Sequence, residues 1–151
     1  MKIAISACLL GRNCRYNGEI KKNQELIDLL SKDELIPFCP EDYCYGTPRP
    51  SMDLINTNNE IKAVCNTTLK DLTPPLQDYA NNFFNKHDDI ELFIGKDRSP
   101  SCGVKSAKVY TTDKSLITIN GTGIMAKEAI DRKIKAIDAE EYLKDNYEFS
   151  C

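Results

Sequence analysis

The chain has 151 residues, with 20 Lys and Arg against 23 Asp and Glu and a formal net charge of -3. That length suits a single domain over 1–151 with a real core, and the charge balance excludes an extended basic stripe for bulk nucleic-acid binding. The apolar opening, MKIAISACLLGRNCRYNG, passes straight into polar sequence, so neither a signal peptide nor a membrane association is expected and the compartment indicated is the cytoplasm.

Lys2 to Leu10 (KIAISACLL) is a β-rich apolar run that stops at Gly11, which predicts a buried first strand with Cys8 near its C-terminal end. Asn23 to Leu30 puts Leu26, Ile27 and Leu30 on one helical face, with Asn23 able to cap the start. Leu35 to Phe38 predicts a second strand despite Pro37, running into Cys39-Pro40-Glu41. Pro48 and Pro50 indicate a loop, and Ile55 to Ile61 a hairpin around an Asn-rich turn. Thr73-Pro74-Pro75 starts a helix whose apolar stripe is Leu76, Tyr79, Ala80, Phe83 and Phe84. Ile90 to Ile94 reads as an interior parallel strand ending at Gly95, ahead of the Lys96–Gly103 segment that carries Cys102. Gly121-Thr122-Gly123 opens a helix through Ile130, and Ala136-Ile137 and Glu140 to Leu143 predict a last strand and helix. This alternation predicts an α/β fold, an open, mostly parallel Rossmann-like sheet flanked by helices, with ligands at the carboxyl ends of the strands.

Seven cysteines, at 8, 14, 39, 44, 65, 102 and 151, are many for a reducing compartment, where metal binding or catalysis outranks disulfides. Their spacing matches neither a zinc ribbon nor a bacterial ferredoxin run, so a metal group would be assembled from distant segments. Cys8, Cys39 and Cys102 each lie near or beyond the carboxyl end of a predicted strand and would meet at one sheet edge. Three thiolates there can hold three irons of a cubane cluster and leave the fourth iron to a substrate atom. The bland alternative is three buried small residues. Cys14 reads as structural or adjacent to the ligands, Cys44 and Cys65 as incidental, and Cys151 as an exposed tail; a fourth ligand from Cys14 or Cys44 would close the open site.

Glu41 is a candidate general acid or base, although a solvated carboxylate or a helix cap also fits its position. Ser99 and Ser101 flank Pro100, where either hydroxyl can position a substrate or bond the local backbone. Arg49 is placed to pair with an anion or to lie solvated. His87, the only histidine, reads as a surface residue at a helix end, and Gly121-Thr122-Gly123 as a tight turn or pocket wall, since it completes neither a dinucleotide nor a P-loop pattern.

Four strings, ISACLLGRNCRYNG at Ile5–Gly18, CPE from Cys39, TPRP at Thr47–Pro50 and SPSCG at Ser99–Gly103, together resemble the domain of unknown function 523 family. The best understood relatives are similar to thiouracil desulfidases, and the resemblance implies a [4Fe-4S] cluster held by Cys8, Cys39 and Cys102, with the substrate sulfur accepted on the open iron. It also implies proton transfer by Glu41 and assistance at the substrate by Ser99. The chain departs from the family pattern at Asp42-Tyr43-Cys44-Tyr45-Gly46 and at Ser51-Met52-Asp53, residues that bear on which substrate is taken. The expected partner is thus a small thiolated molecule, desulfurised without net redox change. The alternatives are an iron-sulfur or zinc carrier or sensor without turnover, and a metal-free nucleotide-associated module that the charge balance disfavours.

Overall fold

In the computed structural model, which describes residues 1–147, the apolar run at the N-terminus divides in two. Lys2–Ser6 is strand β1, and Ala7–Leu10 is a 3-10 turn rather than a continuation of the strand. Gly11 closes that turn with a φ of 93°, and its amide donates back to the Cys8 carbonyl. Apolarity alone does not separate the two, because both segments are buried. Cys8 therefore lies in the turn, two residues beyond the strand.

The remaining elements are α1 (Gln24–Leu29), β2 (Glu34–Phe38), α2 (Pro40–Tyr45), β3 (Met52–Thr57), β4 (Glu60–Cys65), α3 (Thr73–Lys86), β5 (Leu92–Gly95), β6 (Ala107–Tyr110), β7 (Leu116–Gly121), α4 (Ile124–Asp131), β8 (Lys135–Asp138) and α5 (Ala139–Tyr147). Asn23 caps α1 as expected, its side chain accepting from the Leu26 amide.

The strands form two sheets. One is wholly parallel, in the order β2-β1-β5-β8. Alternation along its strands sorts side chains to two faces. Ile3, Ile5, Leu92 and Ile94 pack with Leu26 and Leu30 beside α1 and with Ala139 of α5. Ala4 and Phe93 pack on the other side against Ala80 and Phe84 of α3 and Met125, Ala126 and Ala129 of α4. Phe38 and Phe93 stack there with centroids 4.9 Å apart. The chain passes from β1 outward to β2 and returns to β5 on the opposite side of β1, which creates a switch point where crevices open at the strand ends.

The second sheet, β4-β3-β6-β7, was not foreseen as a separate layer. Its β3-β4 hairpin is the expected one, turning at Asn58 and Asn59, both at positive φ, where Asn is among the residues that tolerate the conformation. β3 pairs parallel with β6, and β6 antiparallel with β7. Its buried side chains, Leu54, Ala63, Ala107 and Val109, enclose a third cluster with Leu76 and Ile124. No helix among the described residues is long and apolar enough to cross a membrane.

Candidate active site

Three strand ends of the parallel sheet deliver the three cysteines. Cys8 lies in the turn after β1, Cys39 immediately follows β2, and Cys102 sits in the loop after β5. All three line one cavity of about 450 Å³, together with Cys14, Glu41, Arg49, Lys96 and Ser99.

Local sequence explains each position. Cys39 is the residue before α2 and has an extended backbone, and Pro40 begins the helix because its missing N–H costs nothing at a first-turn position. Glu41 therefore falls in the first turn, two residues after Cys39. The Cys39 amide donates to Tyr79 Oη at 3.2 Å, which ties this corner to α3.

The Cys102 loop is fixed by three devices. Ser99 Oγ accepts from the amides of Ser101 and Cys102 at 3.2 and 3.1 Å. Buried Asp138, at the end of β8, accepts from the Val104 and Lys105 amides and the Ser106 hydroxyl at 2.7, 2.9 and 2.9 Å. Two glycines admit the backbone: a Cβ on Gly95 would stand 1.8 Å from the Cys102 carbonyl oxygen, and one on Gly123 2.7 Å from the Cys102 amide nitrogen. Gly121-Thr122-Gly123 lies outside this cavity and lines a second one; it ends β7, and Gly123 makes room for the Cys102 peptide.

Glu41 is mostly shielded. One carboxylate oxygen accepts from Ser101 Oγ at 2.5 Å, and the other lies 3.5 Å from Arg49 Nε. The Arg49 side chain is 5% exposed, with Nη2 donating to the Cys14 carbonyl at 2.8 Å and Nη1 to the Gly46 carbonyl and Thr47 Oγ1 at 2.9 and 3.0 Å. Its Nε–H attracts the Glu41 charge but is not aligned to hydrogen-bond it, and it is the one buried side-chain polar atom without a partner among the described residues. An orphaned buried donor is costly, and this one belongs to a residue that lines the cavity.

Three of the cavity thiols, Cys14, Cys39 and Cys102, have raised pKa values. Hydrogen bonding to Cys14 and burial push Cys39 far up. Burial raises Cys102, with the Cys39 and Glu41 charges adding and the Ser6 and Ser99 hydroxyls opposing. For Cys14 the bond with Cys39 lowers the value, but the bond with Cys8 and burial outweigh it and bring it to about 11. Thiols kept neutral by burial become ligands when a soft metal displaces their protons. Among the described residues no three Cys, His, Asp or Glu side chains converge on a point that one ion could occupy. The cavity's cysteines offer the soft sulfur donors that zinc or an iron-sulfur group takes.

Of the residues singled out from sequence, Cys8, Cys39, Cys102, Glu41, Arg49 and Ser99 are brought together. Ser101 is not at the cavity: it is fully buried and its hydroxyl is committed to Glu41. Cys14 lines the same cavity beside them. Cys44 donates its thiol to the Pro75 carbonyl at 3.5 Å, Cys65 ends β4, and Cys151 lies outside the described residues. His87 ends α3 against the Phe83 ring. Lys96 escaped the sequence reading; it lines the cavity and burial, then Arg98, lowers its pKa.

The chain is similar to known proteins in sequence and fold. A family model described as 2-thiouracil desulfurase covers residues 3–141. The uncharacterized protein YbbK of Bacillus subtilis (strain 168) is 30% identical over 134 residues, covering 82% of this chain and 86% of the relative. A solved [4Fe-4S]-dependent thiouracil desulfidase, TudS, superposes with a TM-score of 0.74 at 25% identity over 99% of this chain and 97% of its own.

Proposed function

The chain belongs to the 2-thiouracil desulfurase family, and from that premise we propose that it is a [4Fe-4S]-dependent desulfidase that hydrolyses the carbon–sulfur bond of a small thiolated pyrimidine. The observation that carries the proposal is the meeting of Cys8, Cys39 and Cys102 in one cavity with Glu41 and Arg49. Those three thiols are the proposed ligands. Their soft, buried sulfur set fits an iron-sulfur group, and the solved structure that this chain resembles is described as dependent on one.

When bound, that group supplies a thiophilic iron that polarises the thiocarbonyl. Glu41 takes a proton from water as it attacks the carbon and returns one to the departing sulfur. Ser101 holds the Glu41 carboxylate in place from behind. Arg49 Nε–H, the orphaned donor, binds an acceptor atom of the substrate. Ser99 stabilises the Cys102 loop through its oxygen, and its hydroxyl faces the cavity where it can assist at the substrate. The reaction balances as thiocarbonyl plus water giving carbonyl plus hydrogen sulfide, with no change of oxidation state. The compartment that goes with this reading is the cytoplasm, where thiols are kept reduced.

The test is anaerobic reconstitution followed by incubation with 2-thiouracil, with uracil and sulfide measured together. Equimolar release by wild type and its loss in Glu41→Gln with iron content unchanged are expected. Iron-replete protein that releases neither from any thiopyrimidine would leave the carrier or sensor reading in its place.

A further inference from the structure

The cavity contains one sulfur more than the proposed function employs. Cys14 is 1% exposed, lines the cavity with Cys8, Cys39 and Cys102, and belongs to the same buried cluster as Cys8. Cys8 and Cys39 are the two thiols that act on its own. Its main chain is pinned: the amide donates to Arg12 O at 3.0 Å, and the carbonyl accepts from Arg49 Nη2 at 2.8 Å and from Cys39 Sγ at 3.7 Å. One torsion, χ1, then moves the sulfur among staggered positions while the backbone stays fixed. The neighbouring Arg49, nine-tenths buried with an unpartnered Nε–H, independently marks this wall as one that receives a ligand.

Resting on the reading that Cys8, Cys39 and Cys102 hold the iron-sulfur group, we propose that Cys14 is an exchangeable fourth ligand, bound to the remaining iron in the absence of substrate and displaced by the thiocarbonyl sulfur. The exchange balances without redox change. The iron–Sγ bond of Cys14 breaks, a bond from iron to the substrate sulfur forms, and the released thiolate takes a proton from solvent. Arg49 couples the two events, since one guanidinium holds the Cys14 carbonyl and presents the orphaned donor to whatever enters.

An iron without a protein ligand is the first to leave on mild oxidation: ferricyanide takes one electron, one ferrous ion departs, and a three-iron cluster with its own paramagnetic signal remains. Wild type, Cys14→Ala and Cys14→Ser are reconstituted anaerobically, counted for iron, treated briefly with ferricyanide, and counted again with electron paramagnetic resonance spectra. All three are expected to begin with about four irons per chain. Wild type should keep them, whereas Cys14→Ala should lose about a quarter of its iron and gain the three-iron signal. The serine variant, nearly unchanged in volume, should fold with the wild-type circular dichroism spectrum and lose iron faster than wild type. Equal iron loss in wild type and Cys14→Ala overturns the proposal, as does failure of a well-folded Cys14→Ser to assemble any cluster, which would make Cys14 a permanent ligand. A wild type that takes up no iron brings down the underlying reading instead, a result distinct from both.

Discussion

Gly95→Ala tests whether the end of β5 is shaped around the Cys102 peptide. The added Cβ would stand 1.8 Å from the Cys102 carbonyl oxygen, 2.9 Å from its carbonyl carbon and 3.2 Å from the Phe93 ring. The first distance is short of ordinary contact by roughly 1.7 Å. Two of the three obstacles are backbone, and rotamer changes do not relieve them. Gly95 also pairs with Asp138 across β5 and β8, so the strand is poorly free to retreat. The relief available is movement of the loop that carries Cys102, on which Ser99 and Asp138 already pull. Overpacking of a rigid interior costs about 1–3 kcal/mol, and a backbone clash belongs at the upper end. For a domain of this size about 3 kcal/mol lowers Tm by roughly 6–12 °C. Thermal unfolding of the metal-free protein measures that term, and iron content after anaerobic reconstitution measures the displacement of the sulfur. A variant that melts within about 2 °C of wild type and binds a full complement of iron would refute the reasoning.

Other consequences are equally direct. Asp138→Ala strips three donors of their acceptor, including the buried Val104 amide, and should cost about 3 kcal/mol in urea unfolding. Glu41→Gln should lower kcat by about 10²–10⁴-fold with iron retained. Arg49→Gln should raise KM for the thiolated substrate more than it lowers kcat, because the orphaned donor serves binding. Burial raises the Asp97 pKa. A carboxyl with a folded-state pKa above its unfolded value adds stability as pH falls through the gap between them and loses it as pH rises above the folded value. Asp97→Asn, which keeps an oxygen to accept the Glu140 amide, should therefore match or exceed wild type at neutral pH and lose that advantage on acidification into the carboxylate range, as followed by urea unfolding at each pH.

The three strands of the parallel sheet that carry the site were legible because β1, β2 and β5 are short, mostly apolar runs that end near Gly11, Cys39 and Gly95, with Cys8, Cys39 and Cys102 in the segments that follow them. The second sheet was legible only where chemistry was local. The Asn58-Asn59 turn announced β3 and β4, whereas β6 and β7 lie among charged and polar residues and depend on pairing between Leu54 and Val109, a contact no short window contains. The side-chain directions were hidden for the same reason. Ser99 and Ser101 flank the same proline, yet one faces the cavity and the other is sealed behind Glu41. Cys14 sits six residues beyond Cys8, and nothing in that interval signals that the Gly11 turn folds it back beside Cys39.

The central claim, that three strand-end cysteines hold one iron-sulfur group, is tested most directly by iron and acid-labile sulfide content of anaerobically reconstituted wild type and of Cys8→Ala, Cys39→Ala and Cys102→Ala. The account predicts about four irons per wild-type chain and loss of the group in each variant. A wild type without iron, or variants that each keep a full cluster, would contradict it.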